Sequence, residues 1–246
     1  MDNLVVLNNE KVSNENGKFY SRNYNFKILP EGLNKHFKVE YIVRKSNTKE
    51  HHKLNLQNVK IASNIIQFIY FVISTFKNKN TKYYIITISP YTFVSYLFLF
   101  LFRKKVFVYL ISSGYEEWKF ILGSWSVWIY HIMFTIVTSN STVIALHDRL
   151  YKKKNGHVIA SSTLDESWLQ NFKEVKLDKV RFLNVSRVNP EKGIYEFLEM
   201  FKEIEIDAEI SIIGKTKSST LQKKFQLIIG NNKNIKFPGY ISDRQL

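Results

Sequence analysis

The chain has 246 residues, 45% of them hydrophobic and 23% charged, with only 9 glycines and 4 prolines, which excludes collagen-like, low-complexity and wholly disordered proteins. It contains no cysteine, so disulfides and thiolate metal sites are excluded and a reducing compartment such as the cytosol is expected. The formal net charge of +15 attracts polyanions, which include phosphorylated small molecules, anionic lipid headgroups and nucleic acid, although lysines that only solvate the surface give the same charge.

Short β-branched or aromatic runs alternate with helical patterns over the first part of the sequence. Because the segments between these runs are long enough for crossover connections, we expect an α/β fold in which helices cover both faces of a parallel sheet. The predicted strands are Leu4–Leu7, Lys38–Val43, Tyr83–Ile88, Val106–Ile111, Thr142–Ala145 and His157–Ile159.

Three apolar segments, 61–76, 93–102 and 120–138, are candidates for membrane spans. A span needs about 20 consecutive apolar residues. The first segment has the spacing of an amphipathic helix, the second is too short, and the third is interpreted as one buried or membrane-surface helix. The basic run Arg103-Lys104-Lys105 directly follows the second segment, which favours contact between this side of the protein and an anionic membrane surface.

A polar stretch that begins at Ser161 interrupts the alternation and predicts a boundary between two domains. We predict an N-terminal Rossmann-like domain over 1–165, a linker over 166–178 and a second Rossmann-like domain over 179–246. In the second domain, two helical stripes separate three short apolar runs, which is typical of one half of a doubly wound fold. The predicted strands are Val180–Val185, Ala208–Ile213 and Ile235–Phe237.

The loop after the first of these strands carries the most informative residues of the sequence. Arg187 and Lys192 bracket it, at the carboxyl edge of the predicted sheet, where ligands of such folds bind. Two cations beside a helix N-terminus with free amide donors form a suitable site for a diphosphate. An ordinary loop with two solvated basic residues is the alternative interpretation.

This part of the sequence resembles the second domain of GT-B glycosyltransferases of family 4, also called group 1. Their pattern Gly-Arg, four residues, Lys-Gly corresponds to Ser186 through Gly193, with serine in place of the first glycine. The segments Ile212–Lys215 and Ile235–Tyr240 follow in the order found in the family. The resemblance implies a GT-B-like fold, in which two Rossmann-type doubly wound domains face each other across a cleft.

The resemblance also implies roles for individual residues. Arg187 and Lys192 correspond to the pair that binds the donor diphosphate and stabilises charge on the leaving phosphate, which makes them the expected catalytic residues. Further donor contacts are expected from Gly214, Lys215 and Gly239, although a role of the two glycines in turns alone stays open. The Glu-x7-Glu carboxylates of the family would fall after Leu246, so the second domain is expected to be incomplete and the protein to be truncated at its C-terminal end.

The acceptor side is expected in the N-terminal domain. The segment that contains Gly17, Lys18 and Tyr20 is similar to the glycine-containing first loop of some family members. The histidine that often follows a strand of this domain is absent, and the loop after Val106–Ile111 instead carries Gly114 and Glu116, followed by a second glutamate. These residues are predicted to face the acceptor, although a surface role for the glutamates stays open.

The function implied is a hexosyltransferase, of the retaining type, that moves a sugar from a nucleotide-diphosphate sugar to a saccharide or lipid-linked acceptor. Such enzymes act in bacterial cell-surface polysaccharide or glycolipid synthesis, in the cytoplasm or peripherally on the inner face of the cytoplasmic membrane. No cofactor is implied and no metal, since Asp-x-Asp is absent, and no nucleic acid is expected. Two alternatives stay open: a catalytically inactive fragment of a glycosyltransferase, and a basic nucleic-acid-binding protein.

Overall fold

The computed structural model describes residues 1–78, 80–151, 156–159, 170, 179–189, 192–203, 207–216 and 219–241. Contacts divide the protein into two compact units, Met1–Asp165 and Glu166–Leu246. The predicted linker 166–178 lies outside the described residues except for Gln170.

Unit 1 is built on a nine-stranded sheet. Its strands are β1 (Asn3–Glu15), β2 (Lys18–Ser21), β3 (Lys38–Lys45), β4 (His52–Lys53), β5 (Val59–Ala62), β6 (Lys82–Ile86), β7 (Val106–Leu110), β8 (Thr142–Ala145) and β9 (Gly156–Val158). The parallel part has the order β5-β3-β1-β6-β7-β8-β9. The far end of β1 continues beyond this sheet and pairs antiparallel with β2, which in turn pairs with β4.

Helices cover both faces of this sheet, as the sequence predicts. They are α1 (Asn25–Leu33), α2 (Ile65–Ser74), α3 (Pro90–Leu101), α4 (Gly114–Leu122) and α5 (Ser126–Ser139). Leu4 and Val6 belong to the core on the α1 side, whereas Val5 and Leu7 belong to the core under α2, α3 and α5. Because both faces are buried, the segment Leu4–Leu7 of β1 is a continuous apolar run without polar alternation.

Capping residues fix where two of the helices begin. Before α2, the Asn64 side chain accepts a hydrogen bond from the Gln67 backbone N–H at 2.9 Å, and the Gln67 side chain accepts one from the Ser63 N–H at 2.7 Å. Before α3, Ser89 and Thr92 form a reciprocal capping box, and Pro90 occupies the first turn. Such caps satisfy amide donors that a helix start leaves without partners.

The structure corrects two expectations for unit 1. The first strand, predicted over Leu4–Leu7, extends to Glu15, and the antiparallel β2 and β4 and the parallel β5 were not predicted. The segment 120–138, predicted as one helix, is divided between α4 and α5 at Gly123, whose φ of 91° breaks the helical path. Within the described residues, no helix has both the length and the hydropathy needed to span a bilayer.

Unit 2 contains a three-stranded parallel sheet with two helices packed on it. The strands are β10 (Val180–Val185), β11 (Ala208–Ile213) and β12 (Ile235–Gly239), and the helices are α6 (Ile194–Glu203) and α7 (Ser219–Ile229). The predicted order of strands and helices is confirmed. Its core includes the buried side chains of Ile194, Leu198, Ile210, Ile212 and Phe225.

Candidate functional site

A cavity of about 540 Å³ lies at the carboxyl edge of the unit 1 sheet. The order of the strands reverses between β1 and β6, and this switch point is where open α/β sheets bind ligands. The residues that line the cavity lie within β1, follow β6 and β7, or belong to α4, α5 and the start of α1. They include Asn8, Asn9, Glu10, Asn23, Asn25, Thr87, Ser89, Ser112, Gly114, Glu117, Trp118 and Tyr130. The wall therefore combines amides, hydroxyls and two carboxylates with aromatic surface.

Glu10 is a cavity-lining carboxyl group whose pKa is shifted by its surroundings. It lies in the stretch where the register between β1 and β3 shifts, and bulges of this kind redirect side chains beside binding sites. Burial raises the pKa of Glu10 to about 7, against the opposing effects of a hydrogen bond from the Asn23 backbone N–H at 3.0 Å and of the Arg22 charge. A carboxyl group with this pKa exchanges a proton readily at neutral pH.

A buried amide and a buried phenol support the floor of the cavity. The Asn8 side chain donates a hydrogen bond to the Tyr41 hydroxyl at 3.1 Å, and that hydroxyl donates to the Phe26 carbonyl at 3.1 Å. The Glu10 backbone N–H donates to the Asn8 side-chain oxygen at 3.1 Å. The middle of β1 is thus tied to β3 and to α1, which holds the Glu10 backbone in place.

The end of β6 enters the cavity in an unusual backbone conformation. Thr87 has a φ of 61°, in the left-handed region that β-branched residues rarely occupy. Its N–H donates to the Tyr109 carbonyl at 3.1 Å, and its own carbonyl accepts from the Thr92 hydroxyl at 3.0 Å. These bonds hold the strained residue between β7 and the start of α3, and strain of this kind clusters at functional sites.

The acceptor-side residues predicted from the sequence separate into two groups. Gly114 lines the cavity, and a Cβ atom at this position would lie 2.2 Å from the Tyr130 ring, so any larger residue requires that ring to move. Glu116 is exposed on α4, and its neighbour Glu117 lines the cavity. Gly17 and Lys18 lie at the turn of the β1–β2 hairpin, and the cavity wall does not include them or Tyr20.

In unit 2, the predicted donor loop follows an extended strand, as the sequence requires. Arg187 and Lys192 lie between β10 and α6, and both side chains are exposed. Neither forms an ion pair with another residue of the described part of the protein. The Lys192 N–H donates a hydrogen bond to the Asn189 carbonyl at 3.0 Å.

The other predicted donor contacts lie at the same edge of the unit 2 sheet. The Val188 N–H donates to the Lys215 carbonyl at 3.1 Å, and the Gly214 N–H donates to the Gly239 carbonyl at 2.9 Å. A Cβ atom on Gly214 would lie 1.8 Å from the Ser186 carbonyl oxygen, so this close approach requires glycine. The structure therefore brings the ends of β10, β11 and β12 together around the Arg187 loop.

Sequence reasoning did not identify Asn8, Asn9, Glu10 or Thr87 as site residues. A signal for the first three exists, because they are the polar residues that directly follow the buried part of a predicted strand, at the edge where ligands bind. Thr87 has no such signal, since its conformation depends on contacts with β7 and α3.

No family model and no curated protein sequence matches this protein. Solved structures do match it. HepE from Anabaena, solved in complex with UDP and glucose, has a TM-score of 0.61 at 14% identity, over 99% of this chain and 70% of HepE. UDP-GlcNAc 2-epimerase from Methanocaldococcus jannaschii has a TM-score of 0.53 at 13% identity, over 99% of this chain and 74% of its own.

The apo form of WaaB, a lipopolysaccharide outer core galactosyltransferase, has a TM-score of 0.53 at 11% identity, over 98% of this chain and 69% of WaaB. These likenesses confirm the predicted fold class, a mixed α/β fold with parallel sheets that matches the GT-B glycosyltransferases. The UDP-GlcNAc 2-epimerases share the same architecture.

Proposed function

We propose that the protein is a glycosyltransferase polypeptide that binds a nucleotide-diphosphate sugar at the carboxyl edge of the unit 2 sheet. The observation that carries the proposal is the convergence of the Arg187–Lys192 loop with Gly214, Lys215 and Gly239 at that edge. The two exposed cations lack carboxylate partners among the described residues, so their charge is available to a phosphate ligand. The UDP bound by the similar HepE supports this choice of ligand.

The chemistry follows from the charges. As the bond between the sugar carbon and the phosphate oxygen breaks, negative charge accumulates on the leaving diphosphate. A guanidinium binds two phosphate oxygens at once, and an ammonium adds a point charge, so both groups stabilise the transition state more than the bound substrate. We expect removal of either cation to raise the barrier by about 3 kcal/mol, by analogy with the loss of one oxyanion donor.

We further propose a family 4, retaining hexosyltransferase that acts on a saccharide or lipid-linked acceptor. The motif at Ser186 through Gly193 supports the family, and the polar and aromatic wall of the unit 1 cavity suits a hydroxyl-rich acceptor. The proposed setting is bacterial cell-surface polysaccharide or glycolipid synthesis, in the cytoplasm or at the inner face of its membrane. No metal or other cofactor is part of the proposal.

The test measures binding of UDP-, GDP- and ADP-sugars to the whole protein by saturation-transfer NMR. We expect one nucleotide class to bind, and Arg187→Ala combined with Lys192→Ala to weaken it about hundredfold, because two charge-assisted hydrogen-bonding groups are lost. The matched control is Lys223→Ala combined with Lys233→Ala, which removes two unit 2 cations away from the loop. Equal binding by wild type and the loop variant, or equal weakening in both variants, contradicts the proposal.

A further inference from the structure

Three helices on one face of the unit 1 sheet contain no charged residue. These helices, α2, α3 and α5, have 10, 12 and 14 residues without any Asp, Glu, Lys or Arg. They lie over the same core, to which they contribute Phe68, Val72, Tyr96, Leu99, Met133 and Val137. In a sequence with 23% charged residues, these three helices together form a continuous uncharged layer on this face of unit 1.

The outward side of this uncharged layer is apolar as well. Ile66 on α2 is 76% exposed, Leu101 on α3 is 72% exposed and Trp128 on α5 is 69% exposed. Further exposed apolar side chains of the same three helices are Tyr70, Ile73, Leu97, Phe100, Ile132 and Ile136. A helix that is apolar on all sides is normally covered on all sides, so this layer is built to lie against something other than water.

The remaining helices show what a water-facing side looks like in this protein. On the opposite face of the same sheet, α1 carries Lys27 and Glu31 as an ion pair at 2.9 Å. In unit 2, α6 carries glutamates and a lysine, and α7 carries Lys223 and Lys224. On the same side of the sheet as the layer, α4 packs on the same core through Tyr115 and Trp118 and carries Glu116, Glu117 and Lys119. The absence of charge is therefore confined to α2, α3 and α5.

Basic residues border one end of the uncharged layer. The ends of α2 and α3 meet there, since the Lys104 ammonium donates to the Phe76 carbonyl at 3.2 Å and lies 5.1 Å from the Phe76 ring centroid. Exposed Lys77, Arg103 and Lys105 surround this junction. The nearby Asp2 carboxylate is paired with Lys82 at 2.7 Å, so the local charge is positive.

We infer that the uncharged layer rests on the surface of a bilayer that contains anionic phospholipid. The apolar side chains enter the interface, where Trp128 and Tyr70 have the favoured side-chain types, and Arg103 and Lys105 meet the lipid phosphates. The helices are shorter than the roughly 20 residues that a span needs, so they lie on the membrane. A second copy of the protein is a poorer occupant, because a net charge of +15 opposes self-association and attracts anionic lipid.

The test is cosedimentation of the whole protein with vesicles of phosphatidylcholine alone or of phosphatidylcholine and phosphatidylglycerol in equal amounts. We expect binding to the mixed vesicles. Leu101→Ser with Trp128→Ser is expected to reduce the partition coefficient at least about tenfold, because two apolar side chains no longer leave water. Arg103→Ala with Lys105→Ala is expected to reduce it about tenfold, and high salt should have the same effect.

The matched control is Met200→Ser with Leu227→Ser, which removes exposed apolar side chains from α6 and α7. Its binding should equal that of wild type. Brominated phosphatidylglycerol should quench tryptophan fluorescence in wild type and quench it less in Trp128→Phe, which reports contact without a loss of apolar surface. Three outcomes overturn the inference: no binding to mixed vesicles, equal loss in the control, or a wild-type dimer that Leu101→Ser with Trp128→Ser converts to a monomer.

Discussion

The carboxyl edges of the two sheets are built in different ways. In unit 1, side chains from β1, β6, β7, α1 and α4 enclose a cavity that contains a carboxyl group with a raised pKa. In unit 2, three strand ends are held together by backbone hydrogen bonds and a glycine, and the cations project into solvent. The first edge suits an uncharged ligand that exchanges a proton, and the second suits an anion.

This difference also explains why the residues of one edge can be predicted from the sequence more completely than those of the other. The unit 2 edge is built from a glycine that permits close backbone approach and from charged residues at a fixed spacing. Both features can be recognised in the sequence. The unit 1 edge depends on tertiary packing between segments that are distant in the sequence. Substitutions at each edge test whether the unit 2 edge depends on backbone contacts and the unit 1 edge on side-chain packing.

The largest effect is expected from Gly214→Ala. The added Cβ atom would meet the Ser186 carbonyl oxygen at 1.8 Å, and a backbone oxygen in a sheet has little room to move. We expect the free energy of unfolding to fall by about 3 kcal/mol or more, with loss of nucleotide-sugar binding. Urea denaturation and NMR binding measure the two effects. Gly32→Ala is the control, because Gly32 lies in α1 with open space around it, and this variant should be slightly more stable than wild type. If both variants were equally stable, the unit 2 edge would not depend on close backbone approach at Gly214.

Glu10→Gln tests the unit 1 edge through the pH dependence of the free energy of unfolding. The folded pKa of about 7 lies above the usual 4.5, so the folded state holds the proton more tightly than the unfolded state does. Stability from this group is fully present below about pH 4.5 and is lost as the pH rises to about 7. Relative to the variant, wild type should therefore lose about 3 kcal/mol over this window and remain level above it.

Urea denaturation at a series of pH values checks this expectation. Glu116→Gln provides the control, because it makes the same substitution at an exposed position on α4. A constant difference between wild type and Glu10→Gln from about pH 4 to about pH 8 would show that burial does not hold the Glu10 proton.

Gly114→Ala should have a smaller effect than Gly214→Ala. Its Cβ atom would meet the far end of the Tyr130 side chain, which a small ring displacement relieves, although Tyr115, Trp118 and Phe134 pack around that ring. We expect a loss of about 2 kcal/mol in unfolding free energy. Nucleotide-sugar binding should be unchanged, because the cavity belongs to unit 1. Loss of that binding with an intact fold would contradict the assignment of the nucleotide to unit 2.

The predicted strands of both units correspond to apolar runs in the sequence. In unit 1 these runs are buried on both faces, whereas most side chains of β10 in unit 2 are exposed. Val180–Val185 and Ala208–Ile213 have the predicted bounds. The β1–β2 hairpin was not predicted, since polar residues such as Asn8 and Asn9 interrupt β1 where the strand passes the cavity. The break at Gly123 was missed because its apolar neighbours continue the pattern of one helix.

The two candidate sites also differ in how many of their residues could be identified from the sequence. The loop residues Arg187 and Lys192 were identified because charge and spacing mark them. Glu10 was not identified, because its raised pKa arises from burial in the folded protein, where it lies beside Ser21, Arg22 and Asn23. A list of titratable residues cannot distinguish it from the exposed Glu116.

The left-handed conformation of Thr87 has a consequence for anyone who selects this protein for heat tolerance. A residue with a Cβ atom is unfavourable there by about 1 to 2 kcal/mol, and glycine relieves that strain. Selection for stability alone is therefore expected to accept Thr87→Gly, and in doing so it loosens the loop between β6 and α3. Stabilised variants should therefore also be tested for activity, because the substitution that stabilises them changes the wall of the cavity.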